Sequence, residues 1–236
     1  MIDSFFREYS SLKNSYMNNV IIVAGGKGLR MGSELPKQFL SIGRKPVLMR
    51  TIEAFYNFDK SIRIIVALSA SYREHWSKLC EGYGFSIYHE VVDGGETRFR
   101  SVKNGLELVG GGLVAVHDAV RPFASVSLLK SCFDAAKEYK AVIPVLEVTD
   151  SLREIFDEKD SRIVDRSRFR LVQTPQVFDS VLLKNAYEAD FSELFTDDAS
   201  VVESYGHSIH LVSGERMNIK ITTPFDLDLG EVILSK

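Results

Sequence analysis

Four consecutive β-branched residues, Val20-Ile21-Ile22-Val23, run straight into Ala24-Gly25-Gly26-Lys27-Gly28-Leu29-Arg30-Met31-Gly32, with Pro36-Lys37-Gln38 close behind. A continuous apolar run of this kind reads as a strand buried on both faces of a parallel sheet. Parallel neighbours are reached through crossovers, so the run commits the chain to an α/β architecture. Glycine lets the backbone turn sharply and lets N–H groups approach an anion. Arg30 and Lys37 add full positive charge to those dipoles. The stretch suits a polyphosphate; its plainer reading is a strand that ends in an ordinary glycine turn.

Two familiar phosphate loops do not fit. The dinucleotide fingerprint G-x-G-x-x-G requires a glycine where Met31 stands, and an acidic residue after the second strand, which here ends in Ser69-Ala70-Ser71. The Walker loop requires Ser or Thr after Gly26-Lys27, and the next residue is Gly28. A hydride-transferring dehydrogenase is thereby disfavoured.

The rest of the chain keeps the rhythm of strand and helix. Pro46 suits the first turn of a helix that carries Val47, Ile52 and Phe55. A strand is expected at Ile62–Leu68, a helix around Tyr72–Glu81, and a strand at Ser86–Val92 that leads into Gly94-Gly95-Glu96. A helix starts near Arg98, a strand covers Leu113–His117, and Ser125 caps a helix that runs to Tyr139. The strand Ala141–Val148 follows. Ligands of such sheets sit beyond the carboxyl ends of the strands, which puts the first glycine loop, Gly94-Gly95 and Asp118 on one edge.

Between Thr149 and Thr174 the pattern changes to two short charged strands, Asp150–Ile155 and Arg162–Arg166. A hairpin this polar is marginal alone. It is either a surface flap or packs on a second subunit; Ile155, Phe156, Ile163 and Val164 need burial, which favours the subunit. The fold resumes at Thr174–Phe178 with a helix from Asp179 to Glu188. Thr196-Asp197-Asp198 starts a helix through Tyr205, His207–Val212 is a strand, and Thr223-Pro224 opens the last helix.

At 236 residues the chain accommodates one large domain, and its 45% hydrophobic and 26% charged residues are those of an ordinary globule. A formal charge of -3 argues against general nucleic-acid binding, so an anion site must be local. Two cysteines without metal-ligand spacing make a reducing cytoplasm the expected setting. No apolar span is long enough to cross a bilayer, and Met1–Asn18 does not read as a signal peptide. Met17 could also begin the chain, so residues 1–17 are expected to form a poorly ordered lead-in.

Spacing alone supports no Ser-His-Asp or Cys-His arrangement. A phosphate monoester needs none, since its second pKa of about 6 leaves it largely ionised at neutral pH. Attack on another phosphate then depends on positioning and on cations. Arg30, Lys37 and Lys220 are the candidate cations, and Asp118 is the candidate ligand for Mg²⁺ or another divalent cation. As a strand-end residue, Asp118 equally suits a turn cap. Arg121 and Arg166 equally suit solvated surface charges, and His117 reads as a structural histidine.

Ala24-Gly25-Gly26-x-Gly28-x-Arg30-Met31-Gly32, Pro36-Lys37-Gln38-Phe39, Gly94-Gly95, His117-Asp118-Ala119-x-Arg121-Pro122, Asp165-Arg166, Thr174-Pro175-Gln176, Thr196-Asp197-Asp198-Ala199 and Asn218-Ile219-Lys220-Ile221-Thr222 occur in this order. Together they resemble the 2-C-methyl-D-erythritol 4-phosphate cytidylyltransferase family of the non-mevalonate isoprenoid pathway. The resemblance runs from Asn18 to the C-terminus. It implies an α/β fold: a single Rossmann-like nucleotidyltransferase domain over residues 18–236, with a mostly parallel sheet flanked by helices. A β-hairpin dimerisation arm would protrude at about residues 149–173.

The implied reaction transfers CMP from CTP to a methylerythritol phosphate in a homodimer that requires Mg²⁺. Carried over residue by residue, Arg30, Lys37 and Lys220 would be catalytic. Ala24, Gly25, Gly26, Gly28, Gly95, Glu96 and Ser101 would bind the nucleotide. Asp118, Arg121, Thr149, Thr174 and Lys220 would contact the sugar phosphate, with Arg166 reaching in from the partner's arm, and Asp118 would ligate the metal. Many members read Ala-Ala-Gly at Ala24-Gly25-Gly26, and an Asp is common at Glu96. The ribitol 5-phosphate enzyme of teichoic-acid synthesis also resembles Ala-Gly-Gly-x-Gly, whereas Asp165-Arg166 looks like the methylerythritol enzyme. A non-catalytic nucleotide-binding regulator is the alternative of another class.

Overall fold

The computed structural model describes residues 17–25, 35–157 and 159–235. Gly26, Gly28, Arg30 and the expected lead-in up to residue 16 lie outside the described residues. The chain begins with β1 (Asn19–Val23), a small hairpin of β2 (Ser41–Ile42) and β3 (Lys45–Pro46), and α1 (Val47–Phe58). There follow β4 (Arg63–Leu68), α2 (Arg73–Gly82), β5 (Glu90–Asp93), α3 (Arg98–Leu106), β6 (Leu113–Asp118), α4 (Val126–Tyr139) and β7 (Ala141–Glu147). A separate hairpin joins β8 (Leu152–Ile155) to β9 (Ser161–Val164). The last part contains β10 (Arg170–Val172), β11 (Gln176–Asp179), α5 (Ser180–Ala186), α6 (Asp198–Ser204), β12 (His210–Ser213) and α7 (Pro224–Leu234).

The main sheet has the order β10-β7-β11-β6-β1-β4-β5, with β12 also paired to β7. Strands β6, β1, β4 and β5 are parallel, as the alternating pattern requires. The expected parallel run is interrupted by β11, which lies antiparallel between β6 and β7. The cause is local. After the hairpin the chain returns antiparallel along β7 as β10, and the Gln173 N–H donates to the Pro144 carbonyl at 2.9 Å. It therefore reaches β11 already reversed.

Although β1 is apolar from Val20 to Val23, its alternate residues serve different layers. Val20 and Ile22 pack with Leu48, Ile52, Phe55, Leu129 and Phe133 of α1 and α4. Ile21 packs on the opposite face with Phe99, Val102, Leu183 and Tyr187. Burial on both faces fixes the register, which sets Val23 opposite Ala67 on one side and Asp118 on the other. The loops that leave β1, β4 and β6 thus start from one level.

Two strands begin later than their composition suggests. The one expected at Ser86–Val92 spans Glu90–Asp93, because Ser86–His89 is held by side chains instead. Trp76 Nε1 donates to His89 Nε2 at 2.9 Å, and His89 Nδ1 meets the Ile87 carbonyl at 2.8 Å. The one expected at His207–Val212 spans His210–Ser213, where it pairs with Val142–Val145 of β7. The charged hairpin is present but shorter than expected, and Ile155 and Ile163 on it are 66% and 65% exposed. Both cysteines are free thiols.

Candidate active site

The ends of β1, β5 and β6 open onto a cavity of about 1060 Å³. Among the described residues it is lined by Ala24, Gly25, Lys37, Gly95, Glu96, Ser101, Asp118 and Lys220, all expected at a site, together with Ser69, Tyr72 and Arg98. Each arrives by a traceable route. Gln38, buried beside Lys37, donates from Nε2 to the Ala24 carbonyl at 2.7 Å and ties the Lys37 segment to the end of β1. Thr97 caps α3 by accepting the Arg100 N–H, so Arg98 sits in the helix's first turn. The Ser101 hydroxyl donates to the Thr97 carbonyl at 2.9 Å and accepts the Gly95 N–H at 3.0 Å. That contact holds Gly95 against α3, where any Cβ would overlap the Arg100 side chain.

Asp118 is the electrostatic centre. Its Oδ2 lies 2.9 Å from Lys220 Nζ and 3.3 Å from Arg121 Nε, and its Oδ1 lies 3.9 Å from Arg98 Nη2. Burial works to raise its pKa. Arg98, Lys220 and Arg121 outweigh that and hold the carboxyl well below the usual carboxylate range. It is a permanent anion set among three cations.

Behind Asp118 stands a layer that does not reach the cavity. The Thr174 hydroxyl accepts the Asp118 N–H at 3.1 Å and meets His117 Nδ1 at 3.1 Å. The Arg121 carbonyl can only accept, so His117 donates to it from Nε2 at 3.0 Å, and the unprotonated Nδ1 accepts the Thr174 hydroxyl. Burial pushes the His117 imidazole down to about 4, so it stays neutral. Arg121, read from sequence as a plausible surface charge, is only partly exposed: its Nη1 donates to the Asn218 carbonyl at 2.8 Å and its Nε faces Asp118. Asn218 in turn donates to the Thr174 carbonyl at 2.8 Å, which sets the backbone that carries Lys220.

Thr149 and Arg166 are elsewhere. They line a separate hollow of about 310 Å³ with Glu147 and Arg170, where the Arg166 guanidinium donates to the Thr149 carbonyl. Within one chain, then, the expected site splits into a main cavity and an arm hollow. Sequence reasoning gave no role in the site to Arg98 or to its buried partner Asp198, 2.7 Å apart. The available signal was a cation in the first turn of a helix, directly after a glycine loop.

No group of three or more His, Cys, Asp or Glu residues able to hold a metal occurs among the described residues. Asp118 is a lone carboxylate, which suits a cation that takes its remaining ligands from substrate phosphates rather than from a protein cage.

The family model for 2-C-methyl-D-erythritol 4-phosphate cytidylyltransferase (IspD) matches residues 18–236. The chain belongs to that family. A 2-C-methyl-D-erythritol 4-phosphate cytidylyltransferase from Bacteroides fragilis is 58% identical over 215 residues, 91% of this chain and 98% of the relative. The one from Phocaeicola vulgatus is 56% identical over 217 residues, covering 92% and 99%. Among solved structures, the 4-diphosphocytidyl-2C-methyl-D-erythritol synthase of Anaerococcus prevotii superposes with a TM-score of 0.79 at 29% identity, covering 94% of this chain and 99% of that one. The 2-C-methyl-D-erythritol 4-phosphate cytidylyltransferase of Thermus thermophilus gives 0.76 at 33% identity, covering 94% and 100%. Membership of the 2-C-methyl-D-erythritol 4-phosphate cytidylyltransferase family makes the chain a nucleotidyltransferase and bears out the resemblance in the sequence. No described helix is long and apolar enough to cross a membrane.

Proposed function

We propose that the protein transfers CMP from CTP to 2-C-methyl-D-erythritol 4-phosphate. A phosphate oxygen of the acceptor attacks the α-phosphorus of CTP, the bond to the β-phosphate oxygen breaks, and pyrophosphate leaves with its electrons. The observation that carries this reading is the convergence of Lys37, Arg98 and Lys220 on a cavity whose one buried carboxylate, Asp118, stays ionised. Their charge favours phosphates. His117, next to Asp118 in the chain, is buried and neutral, in keeping with a reaction that takes no proton from the acceptor.

In this reading Lys37 and Arg30 stabilise charge that develops on the α-phosphate, and Lys220 steadies the acceptor. Gly25, Gly26, Gly28, Gly95, Glu96 and Ser101 receive the nucleotide. Thr174 and Arg121 act through Asp118, which they hold by its N–H and its carboxylate. Asp118 would hold a divalent cation such as Mg²⁺ jointly with phosphate oxygens; the cation would neutralise phosphate charge.

The arm completes the site from a second subunit. Its support is the exposure of Ile155, Phe156 and Ile163 on the hairpin, and the placement of Arg166 and Thr149 outside the main cavity. The free thiols fit a cytoplasmic setting. Pyrophosphate release measured with each nucleotide triphosphate against methylerythritol phosphate and ribitol 5-phosphate tests the reading. Turnover with CTP and methylerythritol phosphate is expected. Turnover with ribitol phosphate alone overturns the acceptor, and nucleotide binding without any turnover overturns catalysis.

A further inference from the structure

Arg98 stands between two carboxylates and is in close contact with only one. Its Nη1 lies 2.7 Å from Asp198 Oδ1, while its Nη2 stays 3.9 Å from Asp118 Oδ1. Asp198, at the start of α6, is fully buried, and the oxygen that receives Arg98 also accepts the Tyr187 hydroxyl at 2.7 Å. Its other oxygen has no hydrogen-bond partner among the described residues. A buried carboxylate satisfied on one side only is an expensive way to stabilise a fold. Its position is nevertheless closely defined. Gln176 donates from Nε2 to Asp197 Oδ2 at 2.8 Å and accepts the Ala199 N–H at 2.9 Å. Gln176 lies in β11, opposite Val116 of the strand that ends in Asp118. Asp198 is thus fixed relative to Asp118.

We propose that Asp198 is a positioning residue: it holds the Arg98 guanidinium back from Asp118, which keeps Oδ1 of Asp118 available and presents Arg98 to the charge that develops on the nucleotide's phosphates in the transition state. This rests on reading the cavity as the cytidylyl-transfer site. Once the Asp198 charge is removed, Asp118 is the only carboxylate left within 4 Å of the Arg98 guanidinium among the described residues. The guanidinium then closes onto it at about 2.8 Å, the spacing of a charge-assisted pair. Asp118 would carry three direct cations, and Arg98 would be withdrawn from the phosphates.

The test uses the full chain as Asp198→Asn, Arg98→Gln, the double variant and Tyr187→Phe, with pyrophosphate release, CTP binding by calorimetry and the crystal structure of Asp198→Asn. Asp198→Asn should lower kcat at least about ten-fold while the CTP Kd changes less than about three-fold. In the Arg98→Gln background the same change should have less than about a two-fold effect, because Asp198 acts through Arg98. Tyr187→Phe, which spares the charge, should leave kcat within about three-fold of wild type. In the variant's structure Arg98 should touch Asp118. Arg98→Lys repeats the test from the other side, since an ammonium cannot span both acids and should show the same kcat loss. An unchanged kcat in Asp198→Asn, multiplicative losses in the double variant, or Arg98 still about as far from Asp118 as in the wild type overturns the proposal. A wild-type protein inert toward every acceptor refutes the reading of the cavity instead, and the position of Arg98 in the variant still decides this inference.

Discussion

Lys220 Nζ lies 2.9 Å from Asp118 Oδ2, although the first belongs to the segment before the last helix and the second ends a central strand. Arg121 Nε approaches the same oxygen at 3.3 Å and Arg98 comes from α3. Three separate parts of the chain therefore deliver positive charge to one buried carboxylate. Like charges gathered this closely are tolerated because Asp118 offsets them; phosphates entering the cavity would do so further.

Lys37→Ala should cut kcat by about a hundred-fold or more, the usual effect of removing one preorganised donor to a charge that develops in the transition state. CTP affinity should fall far less, because the interaction is strongest after the ground state. Steady-state pyrophosphate release and calorimetric CTP binding, run on the same preparation, separate the two. Equal losses in both would assign Lys37 to binding.

His117 makes folding stability depend on pH. Burial lowers its pKa from 6.5 to about 4. The unfolded chain therefore binds a proton that the folded chain refuses, and stability is present above about 6.5 and lost as pH falls toward 4. At about 1.4 kcal/mol per unit, the loss attributable to His117 approaches about 3 kcal/mol. His89, also lowered by burial, contributes in the same sense. Urea unfolding of wild type and His117→Gln at pH 7 and pH 4.5 isolates the His117 share: the variant should lose distinctly less stability over that interval. Parallel losses would contradict a neutral buried imidazole.

The hairpin should be an intersubunit element. Replacing Ile155 and Ile163, both largely exposed, with Asp should convert a dimer into monomers in sedimentation velocity and abolish turnover together. Mixing Lys37→Ala with Arg166→Ala should restore activity in heterodimers, since one of the two shared sites is then intact. Monomeric wild type, or confirmed heterodimers without activity, would count against an arm that crosses to a second subunit.

Gly95→Ala should disorder the nucleotide side of the cavity. An added Cβ would overlap the Arg100 side chain and come within 3.1 Å of the Arg100 carbonyl carbon, which belongs to α3 and cannot yield alone. CTP affinity should fall at least about ten-fold with little change in melting temperature, because the strain falls on a loop rather than the core. Wild-type affinity would show that the loop has room to spare.

Much of this was legible beforehand for a physical reason. Val20–Val23, Ile64–Leu68 and Val114–Val116 are apolar because both faces of the sheet are covered, and such strands announce themselves in one dimension. Ala24, Gly25, Gly95 and Asp118 could be placed together because parallel strands end at one level. What stayed hidden depends on contacts between distant segments. The strand beginning at Glu90 is delayed by the Trp76–His89 hydrogen bond, which no local propensity encodes. The reversal of β11 follows from β10 on β7, a short exposed strand with little signature. Arg121 reads as a loop cation until Asp118, three residues earlier, is seen to draw it inward. Arg98 and Asp198 are paired only by the fold.

The central claim is that fixed positive charge, without a proton-accepting side chain, carries the reaction. The most direct measurement is the pH dependence of kcat/KM for methylerythritol phosphate and for an analogue whose phosphate group has a different second pKa. The rise should track the acceptor, with an apparent value of about 6 for the natural phosphate and a matching displacement for the analogue, then a plateau. An apparent pKa that stays the same when the acceptor's changes would place the titrating group on the protein and contradict the account.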